Sequence, residues 1–437
     1  MGAAAFLDGM ADENRERPEI RVGLATDPER YLASDKLIWF DTPGTDPLEM
    51  QVRSVPEDGR FAAEVVGADA DPTTYPGIYG VRPMQLSVPD GDGHGHVVPV
   101  AGLTWVGVHP DHRRRGLLTA MMRHHFEQTR REGGYLSALH ASEPGIYGRH
   151  GYGLASLELE VSVGRGSTFT APHLEDEAAG ITTRLGTVND PGMSARRRQI
   201  DLDLLTTSVG TIVGSPEFYD ELSHVTADEV RDSEPPRILI AVREGRDVGY
   251  TVFRRKHKWP NSRPAAEVSV TSLSGGPAAR LVLMRRVTDL DLSGSVTVSG
   301  IGSGDPVLSW VQGPRGLSDV KPFDSLWVRL VELPTALAAR GYEADCDVVV
   351  DVADEAAPWN AGRWRVQVKD GTGEATRTEA EPEVSLPVAA LGAAYLGMAN
   401  LAEMQRAGTV AEHRPGAARD LWRAFRTDVG PSAARGF

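Results

Sequence analysis

The sequence predicts an α/β fold of mixed sheets, spread over more than one domain. Three observations carry this. Apolar runs of strand length alternate with amphipathic stretches of helical period, as where helices cover a partly parallel sheet. A succession of strands, a helix and a further strand runs from residue 61 to 140, and the strand-then-helix order returns between 237 and 287. The 437 residues exceed what a single core usually organises, so two or three domains are expected.

Composition narrows the function classes. A chain that is 41% hydrophobic and 24% charged is neither disordered nor fibrous. No apolar run reaches membrane-spanning length, so no membrane partner is expected. Residues 1–6 lack the basic start of a signal peptide, and 8–19 read as a polar lead-in. Cys346 is the single cysteine; no intrachain disulfide can form, and a reducing, cytoplasmic compartment is expected. The formal charge of −15 argues against nucleic acid and favours a small cationic partner.

The elements follow in order. Residues 27–40 read as a helix through Tyr31, Leu32, Leu37 and Ile38, with Thr26 as candidate cap. Trp39, Phe40 and Asp41 at its end are candidate substrate-binding residues, two aromatics beside an acid suiting a cationic amine. Strands are predicted at 61–67, 79–88, 103–108 and 136–140, with a last strand at 155–163 closing the first domain near residue 165. A second unit has a helix at 194–203, strands at 237–243, 248–254 and 266–271, and a helix at 278–287. A third has strands at 326–330, 346–352 and 364–369, a hairpin turn at Asp370-Gly371, and helices at 388–396 and 417–425. The expected domains are 1–165, 166–310 and 311–437.

Chemistry concentrates in residues 106–153. After Val106, Gly107 and Val108 comes the turn His109-Pro110-Asp111-His112, then Arg113, Arg114, Arg115 and Gly116. Leu117, Leu118, Met121, Met122 and Phe126 then fall on one face at helical spacing. The arginine loop therefore precedes the first turn of a helix. There the unpaired N–H groups and the positive end of the dipole favour an anion, and a glycine admits it close to the backbone. A pyrophosphate suits this arrangement.

This stretch resembles the Gcn5-related N-acetyltransferases (GNAT), whose acetyl-CoA loop runs Arg/Gln-x-x-Gly-x-Gly/Ala between strand and helix. Arg113 and Gly116 fit, while Leu118 stands where a second small residue is usual. HRRRGLL, ALHASE and GIYGRHGYG, in that order, are similar to one branch, the enhanced intracellular survival (Eis) acetyltransferases. The resemblance implies tandem GNAT domains, the second degenerate and lacking the basic loop, and a sterol-carrier-like C-terminal domain. It also implies a homohexamer, and acetyl-CoA as donor, with no metal.

By the same resemblance Val106, Gly107, Val108, Arg113, Arg114, Arg115, Gly116, Leu117, Leu118, Thr119, Ser142 and Glu143 contact acetyl-CoA. Tyr147 occupies the position of the general acid, with Tyr152 as rival and His140 available to a proton relay. The chain ends Arg435-Gly436-Phe437, and in Eis-like enzymes the carboxylate of a final Phe is the general base. Gly436 stands where an acid often precedes that Phe, which bears on affinity for polycationic aminoglycosides. The expected function is acetyl transfer to primary amines, of aminoglycosides at several positions or of lysine side chains. The alternative is a non-catalytic scaffold that binds acetyl-CoA or lipid.

Overall fold

The computed structural model describes residues 18–41, 48–67, 71–225, 234–311, 316–433 and 436–437. The polar lead-in before residue 18 and residues 42–47 of the loop after Asp41 lie outside them.

The first sheet starts with β1 (Ile20–Leu24), followed by helices α1 (Pro28–Trp39) and α2 (Leu48–Val52). Strands β2 (Arg60–Val65), β3 (Gly77–Pro89) and β4 (Gly95–Val108), helix α3 (Leu117–Arg131) and strand β5 (Leu136–His140) complete the N-terminal part. Helix α1 is capped by Asp27, not Thr26: the Asp27 carboxylate accepts from the Arg30 N–H at 3.0 Å, and Pro28 opens the first turn. Helix α3 buries Leu117, Met121, Met122 and Phe126 against Phe61, Tyr79, Leu103 and Leu139. Each such side chain contributes about 1.5–3 kcal/mol by leaving water. The helix ends in Arg130 and Arg131, which favour the negative end of its dipole.

Sheet order is β1-β2-β3-β4-β5, then Leu326–Leu330, then Gly153–Leu154, with the short strand Ile212–Val213 beside β3. Leu326–Leu330 pairs antiparallel with all of β5, from Leu326 opposite His140 to Leu330 opposite Leu136. A strand expected to open the third unit thus completes the first sheet. Its anchor is Arg329, fully buried, whose guanidinium makes two 2.7 Å bonds to Asp354 of the third unit and lies over the Phe126 ring. Removing either partner would strand a buried charge, at about 3–5 kcal/mol.

The second sheet has seven strands in the order Asp319–Asp324, Leu157–Gly164, Ser293–Gly302, Ala266–Gly275, Arg246–Lys256, Arg237–Arg243, Ile181–Thr187, with helix Pro277–Thr288 packed on it. The strand expected to close the first domain, 155–163, begins at Leu157 and belongs here: Val161 lies opposite Val298 and Val320. The chain changes sheets at Ala155-Ser156, whose N–H groups both donate to the Leu326 carbonyl. The third sheet, Thr372–Arg377, Gly362–Lys369, Cys346–Ala353, Val384–Pro387 and Ala411–Glu412, is packed with helices that include Val388–Ala394 and Ala417–Phe425.

Candidate active site

The anion loop forms as its residue types dictate. Gly116 caps α3 at φ +91°, and Arg114 takes φ +60°. The first helical bond runs from the Ala120 N–H to the Gly116 carbonyl, which leaves the first-turn N–H groups of Leu117, Leu118 and Thr119 available. Arg113, Arg114 and Thr119 are exposed; Arg115 is half-buried and donates to His112 Nδ1 at 3.0 Å. Arginine can only donate, so His112 accepts as a neutral ring, its pKa held down by burial and then by Arg115. Charge, donors and close backbone approach suit a pyrophosphate.

Beside the loop, β4 is bulged. Ile78 lies opposite Gly107 and Gly80 opposite Thr104, so two steps along β3 face three along β4. The extra residue brings Trp105 to φ +52°. On its other edge β4 pairs with β5 only at Ala101–Ser137 and Gly102–Ala138. Beyond Gly102 the two strands do not pair, and the β5-side backbone groups of residues 106–108 have no partner in β5. This opening can take an extended amide chain and polarise a thioester carbonyl without any side chain.

The bulge also restores parity, so Gly102 and Gly107 look to the same face. A Cβ at Gly107 would come within 2.8 Å of Ile38 on α1. One at Gly102 would come within 2.9 Å of Cε2 of Phe437. The Phe437 side chain therefore rests on the β4 backbone, with α1 further along the same face. The Phe437 ring stands edge-on to His140 at the end of β5. The tail reaches this point through Ser432, whose N–H donates to the Val209 carbonyl at 2.9 Å, and Ala433, whose carbonyl accepts from Ser325 Oγ at 3.3 Å. Burial pushes His140 down to about 4, and its buried Nδ1 has no hydrogen-bond partner among the described residues.

Tyr147 ends the short helix Pro144–Tyr147 that follows β5; it is 6% exposed, and Ser142 and Glu143 stand exposed before it. Burial, then the Glu143 charge, pushes its phenol up to about 12. Tyr152 lies 6.0 Å away, ring to ring, but is fully buried and its hydroxyl is tied to Ser137 Oγ at 2.8 Å, which also bonds His125. At the end of α1, Phe40 is 84% and Trp39 45% exposed, with Asp41 also exposed. The α1 residues that meet β4 are instead Tyr31, stacked on Trp105, and Ile38. Sequence reasoning passed over Tyr31 as amphipathic filling; nothing in the sequence announces the bulge that brings Trp105 to it. Among the described residues no three His, Cys, Asp or Glu side chains converge as a metal would need.

A bulged β4, a splayed β5 and an Arg-Gly loop over a helix start define an acetyltransferase of the GNAT class. The acetyltransferase (GNAT) domain model matches residues 63–155, and the sterol carrier protein domain model matches 333–433. An uncharacterized N-acetyltransferase of Streptomyces avermitilis is 36% identical over 379 residues, 83% of this chain and 86% of that one. N-acetyltransferase Eis of Mycobacterium tuberculosis is 29% identical over 382 residues, 86% of this chain and 88% of that one. The crystal structure of Eis1 from Mycobacterium abscessus superposes with a TM-score of 0.77 at 26% identity, over 96% of this chain and 100% of that one. A GCN5-related N-acetyltransferase from Anabaena variabilis shares the fold, with a TM-score of 0.74 at 16% identity over 96% of this chain and 100% of that one. The chain belongs to the Eis-like N-acetyltransferases.

Proposed function

We propose that the chain transfers the acetyl group of acetyl-CoA directly to a primary amine, of an aminoglycoside at several positions or of a lysine side chain. The observation that carries this reading is the position of Phe437 on Gly102 and beside His140, at the start of the β4–β5 opening. A chain end held there delivers a carboxylate that is ionised at neutral pH and accepts protons only. In the proposed reaction the amine nitrogen attacks the thioester carbon, a C–N bond forms, and the C–S bond breaks. The amine's proton passes to the Phe437 carboxylate, and the departing thiolate takes a proton from Tyr147. A phenol raised to about 12 stays protonated at neutral pH and serves as donor. Tyr152, already committed to Ser137, is the poorer acid.

In this reading Arg113, Arg114, Arg115, Gly116, Leu117, Leu118 and Thr119 hold the pyrophosphate. Val106, Gly107, Val108, Ser142 and Glu143 line the path of the thioester arm. The proposal includes the homohexamer and the cytoplasmic location implied by the family resemblance. The domains are proposed as 1–165, catalytic; 166–310, a second GNAT-like unit without donor; and 311–437, which delivers the chain end, with Leu157–Gly164 and Asp319–Asp324 lent to the second sheet and Leu326–Leu330 to the first.

The test is thiol release from acetyl-CoA by the purified protein, with and without an aminoglycoside or an α-blocked lysine. Release that depends on the amine, with one acetyl gained per thiol by mass spectrometry, is expected. Binding of acetyl-CoA with no amine-dependent release would favour the non-catalytic scaffold instead.

A further inference from the structure

A buried carboxylate stands beside the path of the tail and has no part in the proposed reaction. Glu158 is 3% exposed and lies near the start of Leu157–Gly164, opposite Gly302 on one side and Phe323 on the other. Residues directly opposite in antiparallel strands share a face, so Glu158 and Gly302 look the same way. A Cβ at Gly302 would come within 3.1 Å of the Ser432 Cβ. That face is the floor on which residues 431–433 run.

The tail is fastened there residue by residue. The Ser432 N–H donates to the Val209 carbonyl at 2.9 Å. Gly210 makes room for it at φ +87°, since a Cβ there would come within 3.0 Å of the same nitrogen. The Ala433 N–H donates to the Glu158 carboxylate. The Ala433 carbonyl accepts from Ser325 Oγ at 3.3 Å, and the Ser325 proton is shared with Glu158. Ser325 Oγ stands in turn 3.5 Å from His140 Nε2, on the ring against which Phe437 packs. Both main-chain polar groups of buried Ala433 thus end on two buried side chains.

Packing alone does not call for an acid at this position. Among the described residues Glu158 Oε1 has no hydrogen-bond partner. The cation that acts on Glu158 is Arg280, which is paired with Asp305 and donates to the Leu273 carbonyl at 3.0 Å. Burial pushes the Glu158 carboxyl above the usual range, against the bonds from Ser325 and Ala433. A buried carboxylate held by one hydroxyl and one N–H costs stability that an apolar side chain would not. It gives a charge-assisted grip on the main chain of the tail, whatever side chains the tail carries.

We propose that Glu158 and Ser325 are positioning residues for the Phe437 carboxylate: they fix the tail at Ala433, four residues before Phe437, and so set how far that carboxylate reaches past Gly102. This rests on the reading of Phe437 as general base. Four residues span at most about 14 Å, so a tail held at Ala433 confines the carboxylate to the start of the β4–β5 opening. Slippage by one residue would shift it by about 3.5 Å, where about 1 Å already costs much of the rate.

The test follows removal of Phe437 from the folded, untagged protein by carboxypeptidase A, read by mass spectrometry, beside steady-state acetyl transfer. Glu158→Gln keeps the shape of its side chain and Ser325→Ala removes a single hydroxyl, so either variant suffices if the other fails to fold. Each should lose Phe437 roughly tenfold faster than the unmodified protein, the worth of a charge-assisted bond. Each should lower kcat by about ten- to a hundredfold, with the amine's KM and acetyl-CoA affinity nearly unmoved. The unmoved acetyl-CoA affinity reports an intact fold. Trimming at the unmodified rate in both variants would overturn the proposal, whatever turnover does. Faster trimming with unchanged turnover would instead overturn the reading of Phe437 as base.

Discussion

The Phe437 ring meets the His140 imidazole edge-on, with 5.0 Å between centroids and 89° between planes. This contact joins residue 437 to the last residue of β5, nearly 300 positions earlier in sequence. Because burial holds His140 near 4, the imidazole is neutral at physiological pH and serves as an apolar wall for the phenyl ring.

Extending the chain beyond Phe437 should abolish transfer. A C-terminal tag turns the carboxylate into an amide, which cannot accept a proton, and crowds the face over Gly102. Acetyl-CoA affinity and Tm should barely move. Deleting Phe437 should act alike, since the Gly436 carboxylate would fall about 3.5 Å short. Kinetics on C-terminally and N-terminally tagged proteins check this; normal turnover in the former would make Phe437 a packing residue only.

Tyr147→Phe should lower kcat on the order of 10²-fold with acetyl-CoA affinity unchanged, because ring and packing survive and the donor is lost. Tyr152→Phe should instead lower stability, by about 1 kcal/mol, through its bond to Ser137. Stopped assays and chemical denaturation on the pair distinguish the two roles. Equal turnover in Tyr147→Phe would transfer the acid role elsewhere.

Arg114→Glu with Arg115→Glu should abolish acetyl-CoA binding and leave the fold intact. Arg114 is exposed, and Arg115 bonds only His112 among the described residues, so the cost falls on the anion and not on the core. Calorimetry that finds unchanged affinity would place the pyrophosphate elsewhere.

Stability should fall as pH drops from 7 to 4. Burial lowers His125 to about 3, and His140 and His150 to about 4, from an unfolded value of 6.5. Between those values the unfolded chain binds more protons, so ΔG of unfolding rises with pH and is lost on acidification. Asp35 acts in the opposite sense: raised from 3.8 to about 7, it favours the fold at low pH and loses that contribution as pH rises through 7. Asp35→Asn should therefore raise Tm at pH 8 and leave it unmoved at pH 3. Differential scanning calorimetry across this range reads both signs, and a flat Tm between pH 7 and 4 would contradict the histidine account.

What was legible in the sequence was what local chemistry decides. The strands 136–140, 237–243 and 326–330 and the helix 417–425 have the predicted bounds, because periodicity and punctuation agree there. The position of Gly116 at the start of α3 was legible for the same reason. Sheet membership was not. Leu326–Leu330 reads as an apolar strand, but its partners lie some 190 residues earlier in β5, and nothing local names them. Residue type misled in both directions. Arg329 and Arg340 look like surface groups and are buried, Arg340 donating to carbonyls of Gly341, Tyr395 and Phe425. Trp39 and Phe40 look like pocket walls and stand in solvent, while Asp35, in the same amphipathic helix, is half-buried.

The strand Leu326–Leu330 also decides when, during synthesis, the first sheet can be completed. Until it leaves the ribosome, β5 presents Leu136–His140 as a bare edge, and Gly153–Leu154 has nothing to pair with. The nascent chain thus carries the Arg-Gly loop through about half of its translation on an unfinished sheet, with an apolar edge open to other chains. Premature termination before residue 330 should leave that edge unpaired, in a fragment prone to associate.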